Sequence, residues 1–159
     1  MPRKTTKALV RPIEPDRLYH SVQVQRVINR VMRGGKRQLA ERLVYEGMNE
    51  AAKRLKVEDP LQVFEAAIGN IQPRVETRSR RVGGANYQIP FEVRGQRQTH
   101  LTTMWFVAAA RSHKGQPMAN RIAQELVDAY NNQGTAVKKK EDTHKMAEAN
   151  RAFAHFART

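Results

Sequence analysis

From Ser21 to Leu55 the apolar residues recur every three or four positions, the spacing that gathers them on one face of an α-helix. Val24, Val27, Ile28 and Val31 form the first stripe, with Ser21 placed to cap it and Gly34-Gly35 to end it. A second helix is predicted from Lys36 to Leu55, burying Ala40, Leu43, Val44, Gly47, Ala51 and Leu55. A third has a clear start: Asp59 as N-cap, Pro60 at the first helical position and Gln62 in a capping-box-like pair, with Leu61, Phe64, Ile68 and Ile71 inward.

The period then changes. Tyr87, Ile89, Phe91 and Val93 alternate with Asn86, Gln88, Pro90 and Glu92, as in a half-buried strand, and Val75, Thr77 and Ser79 suggest its partner. Gly83-Gly84 between them suits a tight hairpin turn. A two-residue turn puts Arg78 and Arg80 on the face of Ile89 and Tyr87, whereas a three-residue turn with a bulge puts Ser79 and Thr77 there. Pro90 cannot donate to a ladder, so the hairpin is expected as an isolated ribbon or an edge.

Helical spacing returns from Thr99 to Arg111, with Leu101, Trp105, Ala108 and Ala109 inward, and breaks at His113 to Gly115. Pro117 opens a helix with Ile122, Leu126 and Tyr130 inward; Asn131, Asn132 and Gly134 close it, and Thr135 caps a last helix reaching Phe156. The expected fold is mainly α, a bundle of about six helices with one protruding two-stranded β-hairpin. Its parts are a basic N-terminal arm, 1–17, and a single helical domain, 18–159, with the hairpin arm at 73–94.

Charge narrows the function. Among 159 residues, 29 Lys and Arg face 15 Asp and Glu, a formal net charge of +14, which argues for a polyanionic partner. Nucleic acid fits better than a membrane, because no apolar run approaches the roughly 20 residues a spanning helix needs. Without cysteine there is no disulfide framework or thiolate metal site. The first twelve residues carry Arg3, Lys4, Lys7 and Arg11 and no acid, but no apolar segment follows as in a signal peptide, so they read as a basic arm of an intracellular protein.

The candidate chemistry is phosphate binding. In the hairpin and its exit Arg74, Arg78, Arg80, Arg81, Arg94 and Arg97 are all arginine, opposed only by Glu76 and Glu92. A planar guanidinium donates in a fixed fork to phosphate or a guanine edge and stacks on bases. Two strands of this length would project some 25 Å, at about 3.3 Å per residue, and glycines at 83 and 84 would let the tip approach RNA closely. The bland alternative is a solvated face of an ordinary edge hairpin. Lys138, Lys139 and Lys140 fall in the predicted first turn of the last helix, where positive charge opposes the helix dipole and an external anion would compensate. Lys36 and Arg37 sit similarly at the start of the second helix, and Arg111 and Lys114 lie at the end of the fourth and in the break after it. A merely solvated charged turn is the competing reading for both helix starts. His20, His100, His113, His144 and His155 are scattered without metal-ligand spacing, and no phosphate loop, nucleophile elbow or dinucleotide fingerprint occurs. Glu141, His144 and Glu148 share a helical face, but helix-stabilising pairs with Lys140 and Lys145 account for them. No enzymatic role, metal or cofactor is expected.

Three stretches carry a resemblance: GGKRQLAERLVYEGM at 34–48, SRRVGGANYQIPFEVR at 79–94 and GTAVKKKEDTHKMAEANRAFAHF at 134–156. They resemble bacterial and organellar ribosomal protein seven of the small subunit, over nearly the whole chain from Arg11. The resemblance implies a helical domain with a protruding ribbon that binds the 3′ major domain of small-subunit ribosomal RNA and nucleates assembly of the head. It further implies that the ribbon, through Arg78, Arg80, Arg81, Gly83 and Gly84, lies near the exit site by messenger and departing tRNA. The arm and the starts of helices two and six, through Arg3, Lys4, Lys36, Arg37 and Lys138 to Lys140, would face ribosomal RNA. Neighbouring head and platform proteins are implied partners, in the cytoplasm or in an organellar stroma or matrix. Gly95 stands where the family usually has proline, implying a looser hairpin exit, and the ending FART departs from the family's aromatic one. From the residues alone the runner-up is an architectural DNA-binding protein, since an arginine ribbon can enter a DNA groove and helices one and two can pass for a helix-turn-helix.

Overall fold

The computed structural model describes residues 12–82 and 84–157. The expectations for Arg3, Lys4, Lys7 and Gly83 lie outside the described residues. In chain order the elements are α1 (Val22–Val31), α2 (Arg37–Leu55), α3 (Pro60–Ile71), β1 (Val75–Val82), β2 (Ala85–Glu92), α4 (Gly95–Ser112), α5 (Met118–Tyr130), α6 (Gly134–Ala149) and a 3-10 segment (Arg151–Ala157). The fold is the expected one, mainly helical with a single antiparallel ribbon. No described helix is long and apolar enough to cross a membrane.

Two helices run through the core: α5 packs on α2, α3, α4 and α6, and α4 on α1, α3, α5 and α6. Leu101, Trp105, Phe106, Val107, Ala109 and Ala110 are all buried, a surface wider than one amphipathic stripe. Thr102 and Thr103 are buried with them, their hydroxyls donating to the carbonyls of Gln98 and Thr99. The sequence stripe for this helix needs correcting, because Ala108 is exposed and Phe106 is fully buried. The helix also begins four residues before the predicted Thr99, since its polar first turn carries no apolar signal. Gly95, its first residue, has φ +58°, a region closed to proline, so the hairpin exit takes a path that a proline there would forbid.

Helix α3 forms as its sequence dictates: the Asp59 carboxylate accepts the Leu61 N–H at 2.9 Å, and Pro60 occupies the first helical position. Helix α1 does not. Ser21 stands at its N-cap without a side-chain bond, and the carboxylate of Asp16 accepts the N–H groups of Leu18, Tyr19 and Ser21 instead. Asp16 also accepts the Tyr45 hydroxyl, tying this turn to α2. Three inward positions are corrected: Leu43 and Leu55 are only partly buried while Met48 is fully buried, and Tyr130 is 38% exposed. The last helix stops at Ala149 rather than Phe156. Asn150 donates from its side chain to the Met146 carbonyl, and the chain tightens into the 3-10 segment that folds Phe153 and Phe156 back onto the ribbon.

Helices α2 and α5 approach closely at Gly47. A Cβ on Gly47 would lie 2.7 Å from Ile122 Cγ2 and 3.0 Å from the Ala119 carbonyl oxygen, so only glycine fits. Gly47→Val is therefore expected to lose about 2–3 kcal/mol in urea unfolding through overpacking, whereas the same change at exposed Lys53 should stay within about 0.7 kcal/mol.

Candidate nucleic-acid interface

The ribbon adopts the two-residue turn. Val82 pairs with Ala85, so Arg78 stands opposite Ile89 and Arg80 opposite Tyr87. With no third strand among the described residues, Pro90 leaves no ladder bond unmade. Gly84 has φ +89°, as such a turn requires. This register sorts the arginines. The face bearing Glu76, Arg78 and Arg80 turns toward the body, where Ile89 is fully buried and Tyr87 packs on Phe153, 4.9 Å between ring centroids, and on Phe156 at 6.0 Å.

Glu76, only 6% exposed, anchors that face. One carboxylate oxygen accepts Arg78 Nε at 2.6 Å, and the other accepts Arg97 Nε at 3.0 Å and Nη2 at 2.8 Å. Burial alone would raise its pKa, but the two guanidiniums outweigh burial and hold it below the ordinary carboxylate value. Arg78 also lies 5.2 Å over the Phe91 ring, Arg80 donates to the Phe156 carbonyl at 3.0 Å, and Arg94 pairs with Glu92 at 2.6 Å. Arg81 lies on the opposite, exposed face and, among the described residues, has no ion-pair partner. Arg74 is exposed, and its backbone N–H donates to Nε2 of His144. That nitrogen must be unprotonated, in keeping with a pKa lowered by burial and by the charges of Lys140 and Arg74. His144 is thus a structural acceptor, and Glu148 pairs with Arg151 rather than with a lysine.

The two helix starts differ. Because α6 begins at Gly134, the lysines fall in its second turn, not its first. Its N-terminal anion is internal: buried Glu125 accepts the Ala136 N–H at 2.9 Å. Lys140 is engaged as well, donating to the Asn70 carbonyl at the end of α3. Lys138 and Lys139 remain exposed. At the start of α2 no acid lies in the first turn and no side chain caps it. Arg37 is held by Glu41 at 2.7 Å and by Gln25, whereas Lys36 is exposed.

Lys36 opens onto a feature the sequence did not reveal. A cavity of about 710 Å3 between the end of α1, the start of α2, the end of α4 and the start of α5 has an apolar floor of Val31, Met32, Leu39, Ala40, Leu43 and Met118. Its charged lining is entirely basic: Arg33, Lys36, Arg111 and Arg121. Arg111 donates to the carbonyls of Arg30 and Val31 at the end of α1, and burial together with the charges of Arg33 and Arg30 lowers its pKa. Cations that crowd one another in this way are relieved by an anion. A second cavity, about 420 Å3, lies on the far side of α1, where Arg26, Arg30 and His100 stand with Gln96, Thr99 and Thr103, again without an acid. Arg30 reaches His100 Nδ1 at 3.3 Å, and Arg26 Nε is buried without a hydrogen-bond partner. Arg26, Arg30, Arg33 and Arg121 were not candidates from sequence, where they are single cations within helical patterns. Their only signal was the lack of neighbouring acids, between 17 and 40 for the first three and between 93 and 124 for Arg121. Lys114 is exposed beside the α4–α5 break.

The chain matches the family model described as ribosomal protein S7p/S5e over residues 2–151. It is 54% identical over 150 residues to the small ribosomal subunit protein uS7 of Thermosipho africanus, covering 94% of this chain and 96% of that one. It is 53% identical over 148 residues to the uS7 protein of Chloroflexus aurantiacus, covering 93% and 94%, and 51% identical over 150 residues to that of Thermotoga petrophila, covering 94% and 96%.

The geometry makes acid sensitivity specific. Asp16 is pushed up by burial but brought below its ordinary pKa by the N–H groups of Tyr19 and Ser21, the Tyr45 hydroxyl and the Leu18 N–H; Glu76 is lowered as well. Stability from groups so lowered is complete above the ordinary carboxylate pKa and is lost as pH falls through the folded value. Glu76→Gln should cost about 1–2 kcal/mol at neutral pH, a figure reduced by the half-exposed arginines, and the difference from the unsubstituted protein should shrink below about pH 4 in denaturant titrations.

Proposed function

The chain belongs to the ribosomal protein S7p/S5e family, and on that premise we propose that it is a primary binder of the 3′ major domain of small-subunit ribosomal RNA, whose docking nucleates assembly of the head. As a member of the family it is a non-enzymatic structural constituent of the small ribosomal subunit, an RNA-binding protein of translation. The observation that carries the finer reading is the cavity lined by Arg33, Lys36, Arg111 and Arg121 with no acid among them. Cations held on four helix ends can meet several phosphates of a folded RNA junction at once, and phosphate neutralisation supplies the affinity.

In this reading Lys36, Arg37, Arg111, Lys114, Lys138 and Lys139 line the ribosomal RNA side. Arg3, Lys4 and Lys7 extend it along the arm, 1–17, beside the helical domain, 18–159. The hairpin arm, 73–94, reaches toward exit-site tRNA and messenger with Arg81, Gly83 and Gly84 at its tip, and neighbouring head and platform proteins cover other faces. Arg74, Arg78, Arg80, Arg94 and Arg97 belong to the same arm, and the last four, each bound to an acid or a carbonyl, also shape it. Lys140 holds α3 in the same way. The bacterial relatives favour a cytoplasmic ribosome.

Binding to a 3′-domain RNA fragment should weaken by several orders of magnitude between low and moderate salt, with each of Arg33→Ala and Arg121→Ala reducing the salt slope by about one. A flat titration, or equal competition by duplex DNA, would overturn the reading. Arg81→Ala should leave unfolding stability within about 0.5 kcal/mol while weakening exit-site tRNA protection in reconstituted subunits. Unchanged protection would remove the ribbon from that role.

A further inference from the structure

We propose that His113, Glu125 and Asp128 form a binding site for a divalent transition-metal ion of the zinc class, joining the end of α4 to α5 and the start of α6. Each residue offers a ligand atom, and these atoms lie within 4.8 Å of one another. His113 is the C-cap of α4, while Glu125 and Asp128 are three apart on α5 and so share one face. His113 Nε2 and Glu125 Oε2 are 3.2 Å apart. Two ligands at ordinary zinc distances and a tetrahedral angle are separated by about 3.3 Å.

Charge argues in the same direction. Glu125 is fully buried, and among the described residues no lysine or arginine forms an ion pair with it or with Asp128, although the chain has 29 such cations for 15 acids. The other buried acids are answered otherwise, Asp16 by four hydrogen-bond donors and Glu76 by two guanidiniums. A divalent ion with two carboxylates and a neutral imidazole leaves no net charge buried. Outer contacts of the kind that orient metal ligands are in place: the Ala136 N–H on Glu125 Oε1 and Gln124 Nε2 on Asp128 Oδ1, at 2.9 Å each. Gly134 keeps the α6 start against the two acids, since a Cβ there would lie 2.9 Å from Asp128 Cβ and 3.2 Å from Glu125 Oε1. The His113 side chain is 33% exposed, which leaves an entry and an open position for water. An imidazole among the ligands selects against magnesium and calcium, which prefer oxygen alone.

The test uses the full chain stripped of metal. Calorimetric titration with Zn2+ should show one site, Co2+ should give the visible absorption of a tetrahedral centre, and Zn2+ but not Mg2+ should raise the thermal midpoint. His113→Arg is the decisive variant, because it gives Glu125 a permanent ion-pair partner and removes the ligand. It should fold, as judged by circular dichroism, yet lose the zinc response. Asp128→Asn, at a partly exposed position, should weaken Zn2+ by more than about tenfold. Failure of the unsubstituted protein to bind Zn2+, or binding that both variants retain unchanged, would overturn the site and leave His113 and Glu125 as an ion pair only. Neither result bears on RNA binding, which is measured separately.

Discussion

A two-stranded ribbon has no sheet of its own to hold it, so everything the hairpin does depends on how its root is fastened to the helices. The fastening is the carboxylate of Glu76, buried between Arg78 of the same strand and Arg97 in the first turn of α4. Ile89, fully buried, and Tyr87, stacked against the 3-10 segment, complete the seat. Each of these contacts lies on one face, so the ribbon is free to present the other, with Arg81, outward.

The buried acids share a common role. Asp16 joins the turn before α1 to Tyr45 of α2, Glu76 joins the ribbon to α4, and Glu125 joins the end of α4 to the first turn of α6. In a chain of net charge +14, the scarce carboxylates that are buried hold junctions between elements, and the cations they leave unpaired gather where no acid follows. The basic cavity at the ends of α1, α2, α4 and α5 shows this most clearly, because no acid lines it and burial with the charges of Arg33 and Arg30 lowers the pKa of Arg111 there. Structural charge pairing and RNA recognition thus use the same residue types at different depths.

Much of this was legible along the chain. The start of α3, the ribbon, its isolation by Pro90 and the basic character of the surface rest on signals that act within a few residues: a cap, a period, a missing N–H, a charge count. The ribbon's register was not legible, because both turns satisfied the same local pattern; only the observed one puts Glu76, Arg78 and Arg80 on the inward face, where they meet Arg97 and the Phe156 carbonyl. The inward faces of α4 and α5 were read partly wrongly for a related reason. A helix surrounded by others buries more than one stripe, so periodicity alone placed Ala108 and Tyr130 inside and overlooked Phe106 and Glu125.

The sequence by itself determined the partner's chemistry and the kind of elements that meet it, since composition and short-range spacing are properties of the unfolded chain as much as of the folded one. Which cations are available was decided only by tertiary structure. Arg97 is bound by a carboxylate 21 residues away, Lys140 by a carbonyl 70 residues away, and the anion site at the start of α6 is filled by a side chain of α5. Arg33 and Arg121, unremarked in sequence, become neighbours across one cavity. A charge acts through distance in space, and the chain acquires those distances only on folding.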